Sequence, residues 1–231
     1  RTVLLCMLLC SIPACLSPGK ASIQPRAGRG FYVQEGRLYD ANGNPFIMRG
    51  INHPHTWFNY RLEKALADIR AVGANAVRVV LSNGKRWQKT YPADVERVIA
   101  ACKSNRLIAV LEVHDTTGYG DEQNHPSTLN EAVDYWIEIG AVLRGEEAYV
   151  IINIGNEPLG NNAGDSWAPA HEEAIARLRQ AGFTHTLMVD GANWGQDWSR
   201  TMLDNAAEVF ASDPLANTLF SIHMYDVYNT Y

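Results

Sequence analysis

From Ile47 onward a single rhythm constrains the fold more than any other feature: a short apolar run, a polar or aromatic cluster at its end, an amphipathic stretch, then another apolar run. The runs are "IMRGINH" (47–53), "AVRVVLS" (76–82), "LIAVLEVHD" (107–115), "VIINIGNEP" (150–158), "TLMVDGANW" (186–194) and "TLFSIHMY" (218–225). Helical patterns fall between them at 62–72, 92–104, 128–143, 167–181 and 200–211. Strands apolar on both faces, alternating with helices, predict a parallel sheet with helices outside it. A doubly wound sheet and a (β/α)8 barrel share this rhythm. The barrel is favoured because almost every run ends in functional side chains, and because no G-x-G-x-x-G turn follows the first run. The expected fold is α/β, a TIM (β/α)8 barrel of which six units are read here, truncated after the sixth strand. Ahead of it, "GFYVQEGRLYDANGNPFIMRG" predicts a β-hairpin around Asn42 and Gly43.

The first thirty residues differ in kind. Arg1 precedes "VLLCMLLCSIPACL", a stretch too short to span a bilayer and followed by small residues and proline. Residues 1–30 are expected to be a signal peptide and spacer, and residues 31–231 a catalytic domain, with the mature protein secreted and free of the membrane. Cys6, Cys10 and Cys15 lie in that leader, leaving Cys102 as a buried structural thiol with no internal partner. A formal charge of −5, spread without basic runs, gives nucleic acid nothing to hold.

The run ends supply the candidate chemistry. Asn52 and His53, Ser82, His114 and Asp115, Asn156 and Glu157, Asn193 and Trp194, and His223 and Tyr225 all sit at tips. An acid, several histidines and amides, an arginine and aromatic rings suit a polar, flat-faced, uncharged ligand such as a sugar chain. Trp57, Trp87, Trp194 and Trp198 offer faces on which pyranose rings stack. Glu157 leads: a carboxyl group ending an apolar strand is placed for proton transfer, and Pro158 is expected to hold it in an extended conformation and end the sheet. Arg78, mid-strand in "AVRVVLS", needs a buried partner, for which Glu112 is the candidate. His53 and His55 form an H-x-H such as opens some metal sites. The later tips do not complete one, so no metal and no cofactor is expected. His125, His171 and His185 are expected to be solvent-exposed or capping.

"GINHPHTW", "VRVVLSNG", "LIAVLEVHDTTGYG", "VIINIGNEP", "GANWGQDW" and "FSIHMY" together resemble glycoside hydrolase family 5, in the clan of retaining (β/α)8 hydrolases, and within it the secreted bacterial β-mannan-cleaving branch. The resemblance spans about residues 31–228. It implies endo-cleavage of β-1,4-mannosidic linkages in mannan, glucomannan or galactomannan, by a monomer acting on a polysaccharide. It implies that Glu157 is the general acid/base and that Asn156 bonds the hydroxyl beside the reacting carbon. Arg78, His114, His223 and Tyr225 would line the reacting subsite with Asn52 and His53, and Trp194 would be a platform. Retaining enzymes need a second carboxyl group about 5 Å away, which the family carries as a glutamate on its seventh strand. Asp115, Asp190 and Asp226 are read as belonging to the wrong strands or the wrong face for that role. The chain is therefore expected to be a fragment, inactive alone. An endo-β-1,4-glucanase and a non-catalytic carbohydrate-binding barrel are the alternatives.

Overall fold

The computed structural model describes residues 30–225 and residue 228. The leader expected at 1–30 lies outside the described residues, Gly30 excepted, and so does Asp226. Six strands, β3 (Gly50–His53), β4 (Ala76–Leu81), β5 (Ile108–Val113), β6 (Val150–Asn153), β7 (Leu187–Asp190) and β8 (Thr218–Ser221), pair in parallel and in sequence order. This is six-eighths of a barrel wall. Among the described residues its outermost strands, β3 and β8, are paired on one side only.

Register sorts the strand residues into two faces. The outer set includes Val77, Val79, Leu81, Leu111, Val113, Ile152, Leu187 and Val189, all fully buried. They pack against α2 (Leu62–Ala71), α3 (Pro92–Ser104), α4 (Leu129–Glu138) and α6 (Trp167–Gln180), which bring Leu66, Val98, Trp136, Trp167 and Leu178 into one contiguous core. Each such side chain contributes roughly 1.5–3 kcal/mol by leaving water. Cys102 lies in this core, and burial pushes its thiol up to about 12, as befits a structural residue.

The helices start and stop where their residues dictate. Pro92 opens α3, Thr128 and Glu131 form a reciprocal capping box at α4, and Gly73 and Gly182 follow α2 and α6 with φ of +92° and +86°. The helix expected over 128–143 is broken: α4 stops at Glu138, and α5 (Gly140–Leu143) starts afresh after Ile139. The short α1 (His55–Phe58) follows β3, and α7 (Thr201–Ser212) precedes β8.

The inner face is graded. Ile108, Val110, Ile151 and Met188 form its floor with Phe31, Leu38, Phe46 and Met48 from the preceding segment. The hairpin is therefore a plug at the amino ends of the strands. Its paired strands are β1 (Tyr32–Gln34) and β2 (Arg37–Tyr39), and their turn is Glu35–Gly36, both at positive φ. The Asn42–Gly43 turn expected to make the hairpin instead makes the next reversal, with Asp40 accepting from Gly43 and Asn44, and leads to a single bridge between Tyr39 and Pro45. Thr186 and Asn217 bond the Phe31 carbonyl, and the Phe31 amide donates to Glu147, which ties the plug to the loops entering β6, β7 and β8.

Candidate functional site

One layer above that apolar floor, the inner face becomes charged. Arg78 on β4 reaches across the sheet: its Nη1 lies 3.5 Å from Glu112 Oε1, and its Nη2 donates to Asn153 Oδ1 at 2.6 Å and Asn156 Oδ1 at 2.8 Å and lies 3.4 Å from Asp190 Oδ2. Glu112 and Asp190 are fully buried. Two carboxylates so placed would be costly without this guanidinium between them. Glu112 also bonds His114 Nδ1 at 2.9 Å, which sets that ring above the charged layer.

The top layer is built where β6 ends, and it ends early. The strand expected to run to Pro158 stops at Asn153. Residues beyond it are held by the end of β5 and the "HDTTG" segment after it: Asn156 N donates to Val113 O, Thr116 Oγ1 donates to Asn156 O at 2.7 Å, Asn156 Nδ2 donates to Thr117 Oγ1 at 2.8 Å, and Gly118 N donates to Glu157 O at 2.9 Å. Glu157 is not extended, as its place before proline predicted, but has φ +41°. A left-handed glutamate costs about 1–2 kcal/mol. Fixed donors and acceptors on both sides impose it, the Glu157 amide donating to Asp190 Oδ2 at 3.1 Å.

That backbone geometry aims the carboxyl at β8's continuation. His223 Nδ1 lies 2.7 Å from Glu157 Oε1, and the Tyr225 hydroxyl donates to the same oxygen at 3.0 Å. Oε2 accepts no hydrogen bond from the described residues, and Glu157 as a whole is 7% exposed at the mouth. The other face of His223 meets Asp190, Nε2 to Oδ2, at 3.0 Å. Burial works against a charged imidazole, but the hydrogen bonds to Asp190 and Glu157 outweigh it and hold His223 up at about 9. Asp190 is pulled below the usual carboxylate range: its burial opposes the charge, and the bond to His223 and the field of Arg78 overcome it. The Tyr225 phenol is raised by burial and by the adjacent Glu157 charge.

Aromatic rings rim this centre. Trp57, 41% exposed, meets Trp87 edge-on at 5.1 Å and His114 at 5.3 Å, and Arg86 lies over Trp87. Trp194 stands on the opposite rim, its indole N–H donating to Asp121 Oδ2 at 3.2 Å. Trp198 is 53% exposed beyond it. Trp136 and Trp167 are the fully buried tryptophans, each with its N–H on a main-chain carbonyl.

Glu157, Asn156, Arg78, His223 and Tyr225 are thus one bonded group, with His114 joined to it through Glu112. Asn52 pairs in register with Arg78 and is exposed on the same face. His53 is a correction. It is 2% exposed on the helix-facing side, and its Nε2 is 3.3 Å from His55 Nδ1, whose Nε2 is 2.9 Å from Asp94 on α3. Alternation along β3 turns it away when Asn52 faces inward. Burial, then the neighbouring His55 and Arg97, lower His53 to about 4. His171 and His185 are likewise buried rather than exposed, bonded to the carbonyls of Trp167 and Leu143. Among the described residues no group of three or more His, Cys, Asp or Glu is placed to hold a metal ion.

Sequence reasoning missed Asn153 and set Asp190 aside. Both have the inward parity of Arg78 and Glu112, a signal present in the sequence, since a charge or amide within an apolar strand calls for a partner in the same layer.

The fold and the site together define a parallel α/β barrel with its polar centre at the carboxyl ends of the strands. The family model for cellulase, glycosyl hydrolase family 5, matches residues 39–231, and the chain belongs to that family. It is similar to a mannan endo-1,4-beta-mannosidase of Cellvibrio japonicus, 59% identical over 203 residues, 87% of this chain and 47% of that protein. A mannan endo-1,4-beta-mannosidase of Streptomyces lividans is 54% identical over 213 residues, 89% of this chain and 55% of that protein. Among solved structures, the mannohexaose complex of Thermomonospora fusca beta-mannanase superposes with a TM-score of 0.85 at 60% identity, over 87% of this chain and 68% of that one. The chain spans about half the length of the curated relatives it matches.

Proposed function

We propose that the protein to which this chain belongs is a secreted, endo-acting glycoside hydrolase that cleaves β-1,4-mannosidic linkages in mannan, glucomannan or galactomannan with retention, and that Glu157 is its general acid/base. Residues 1–30 are its leader in this reading. The observation that carries it is the Glu157 carboxyl itself: one oxygen fixed by His223 and Tyr225, the other without a hydrogen-bond partner among the described residues, at the mouth of a sheet rimmed by tryptophans. Similarity to proteins named as mannan endo-1,4-beta-mannosidases supports the substrate class.

In such a cleft the free oxygen donates a proton to the departing glycosidic oxygen, and in the second half-reaction takes one from water. Asn156 spends its Oδ1 on Arg78 and one amide hydrogen on Thr117, leaving the other hydrogen for a sugar hydroxyl. Glu112 and Asp190 are fully buried and bonded, so neither offers an exposed oxygen for the covalent step. The nucleophile is assigned to a glutamate outside the described residues, as the family resemblance implies.

In the full-length protein, Glu157→Gln is expected to lower the release of reducing ends from mannan by about 10²–10⁴-fold. Wild-type rates in that variant would overturn the assignment. Faster turnover of carboxymethylcellulose than of mannan would move the substrate class to glucan.

A further inference from the structure

Asp190 has no role in the chemistry just described, yet four donors converge on it in a fully buried position. Its Oδ2 takes the Glu157 amide at 3.1 Å and His223 Nε2 at 3.0 Å and lies 3.4 Å from Arg78 Nη2, while its Oδ1 takes Asn153 Nδ2 at 3.1 Å. One of those contacts fixes the main chain of Glu157 at its left-handed φ. Another runs through a single imidazole to the Glu157 carboxyl, 2.7 Å from the far side of the ring. We propose that Asp190 is the positioning residue for the acid/base, clamping Glu157 from both ends by binding its backbone directly and its carboxyl through His223. This rests on the assignment of Glu157 above.

The clamp also selects a protonation state. Carboxylates face both ring nitrogens of His223, and only the imidazolium has a hydrogen for each. The groups facing it are Asp190 on β7, Glu157 after β6, Arg78 on β4 and Tyr225 on its own segment, whose hydroxyl shares Glu157 Oε1. The two carboxylates favour the ring's charge, and Arg78 opposes it. An imidazolium there keeps a proton within 2.7 Å of the acid/base while Glu157 itself is ionised. Without the Asp190 charge the ring releases that proton at lower pH.

The test uses the full-length protein as wild type, Asp190→Asn and Glu157→Gln, with kcat/KM followed against pH on mannan and on a dinitrophenyl mannooligosaccharide, whose leaving group departs without a proton. Asp190→Asn is expected to lose at least about tenfold on mannan and to move the alkaline limb at least about one pH unit lower, with a much smaller loss on the dinitrophenyl substrate. An equal loss on both substrates with an unmoved limb would mean a merely structural role and overturn the proposal, as would unchanged kinetics. Glu157→Gln separates the two readings: if it stays active, the acid/base assignment fails and takes this proposal with it. If it is inactive while Asp190→Asn behaves as wild type, only the clamp fails. Should Asp190→Asn not fold, ¹⁵N spectra of the wild-type histidines decide. His223 is expected to remain doubly protonated at pH 8, and a neutral ring at pH 7 would overturn the proposal.

Discussion

Gly195 shows how tightly single residues set this centre. Its φ is +75°, its carbonyl accepts the His223 amide, and a Cβ on it would sit 2.7 Å from Cγ of the His223 ring. Gly195→Ala is therefore expected to push the imidazole off Glu157 and to lower kcat/KM on mannan by about 10²-fold, the cost of displacing a catalytic group by about 1 Å. Kinetics of the variant at the wild-type optimum check this. His223 also makes stability depend on pH. Its folded pKa of about 9 lies above the ordinary 6.5, so its contribution is complete below pH 6.5 and is lost as pH rises through 9. Thermal melts of the full-length protein are expected to fall across that window, and His223→Gln to flatten the fall. A melting temperature that rose from pH 6.5 to 9 would contradict the imidazolium.

Among elements, the loops after β5, β6 and β7 are joined through one side chain. Asp121 accepts the amides of Asn161 at 2.6 Å and Asn162 at 2.9 Å and the Trp194 indole N–H at 3.2 Å, and Gly160 packs against its carboxyl with no room for a Cβ. Asp121→Ala is expected to leave the sheet intact and loosen Trp194, raising KM for mannan several-fold more than it lowers kcat. Steady-state kinetics separate the two. The strands and helices were legible because period and parity are written in "AVRVVLS" or "LIAVLEVHD". The end of β6 was not, because "VIINIGNEP" reads as one apolar run carried to a polar tip at Pro158. The residues after Asn153 leave the ladder for bonds to the end of β5 and the segment after it, Asn156 to Val113 and Thr116 and Glu157 to Gly118, partners about 40 residues away in sequence. Glu157 could be found as a carboxyl at a strand tip. Its left-handed backbone could not, because pre-proline sterics point the other way and only tertiary hydrogen bonds overrule them.

Across the whole molecule, the sheet separates two regions with different tolerances. Between sheet and helices lies an ordinary apolar core, in which Leu111→Ala is expected to cost about 2–5 kcal/mol, measurable by chemical denaturation. At the amino ends of the strands, Arg179 on α6 holds Asp213 by two bonds of 2.9 Å, and Asp213 in turn holds Asn217 N and Thr218 Oγ1. Burial would raise the Asp213 carboxyl, but the Arg179 bond and charge bring it down to about 2. Its contribution is present above the ordinary 3.8 and is lost as pH falls through about 2. Asp213→Ala strands a buried guanidinium, and a loss of about 3–5 kcal/mol is expected in the same measurement.

The plug at the floor bears on how the protein can be handled. Gly30 is packed against Glu147 so closely that no Cβ fits, and the next residue is bonded into the amino ends of the strands, so the polypeptide enters the barrel at the pole opposite Glu157. A purification tag, a fused binding module or a resin tether joined ahead of residue 30 would emerge from the underside and leave the mouth at Glu157 unobstructed. The same attachment through the loops carrying Trp57 or Trp194 would stand over that mouth.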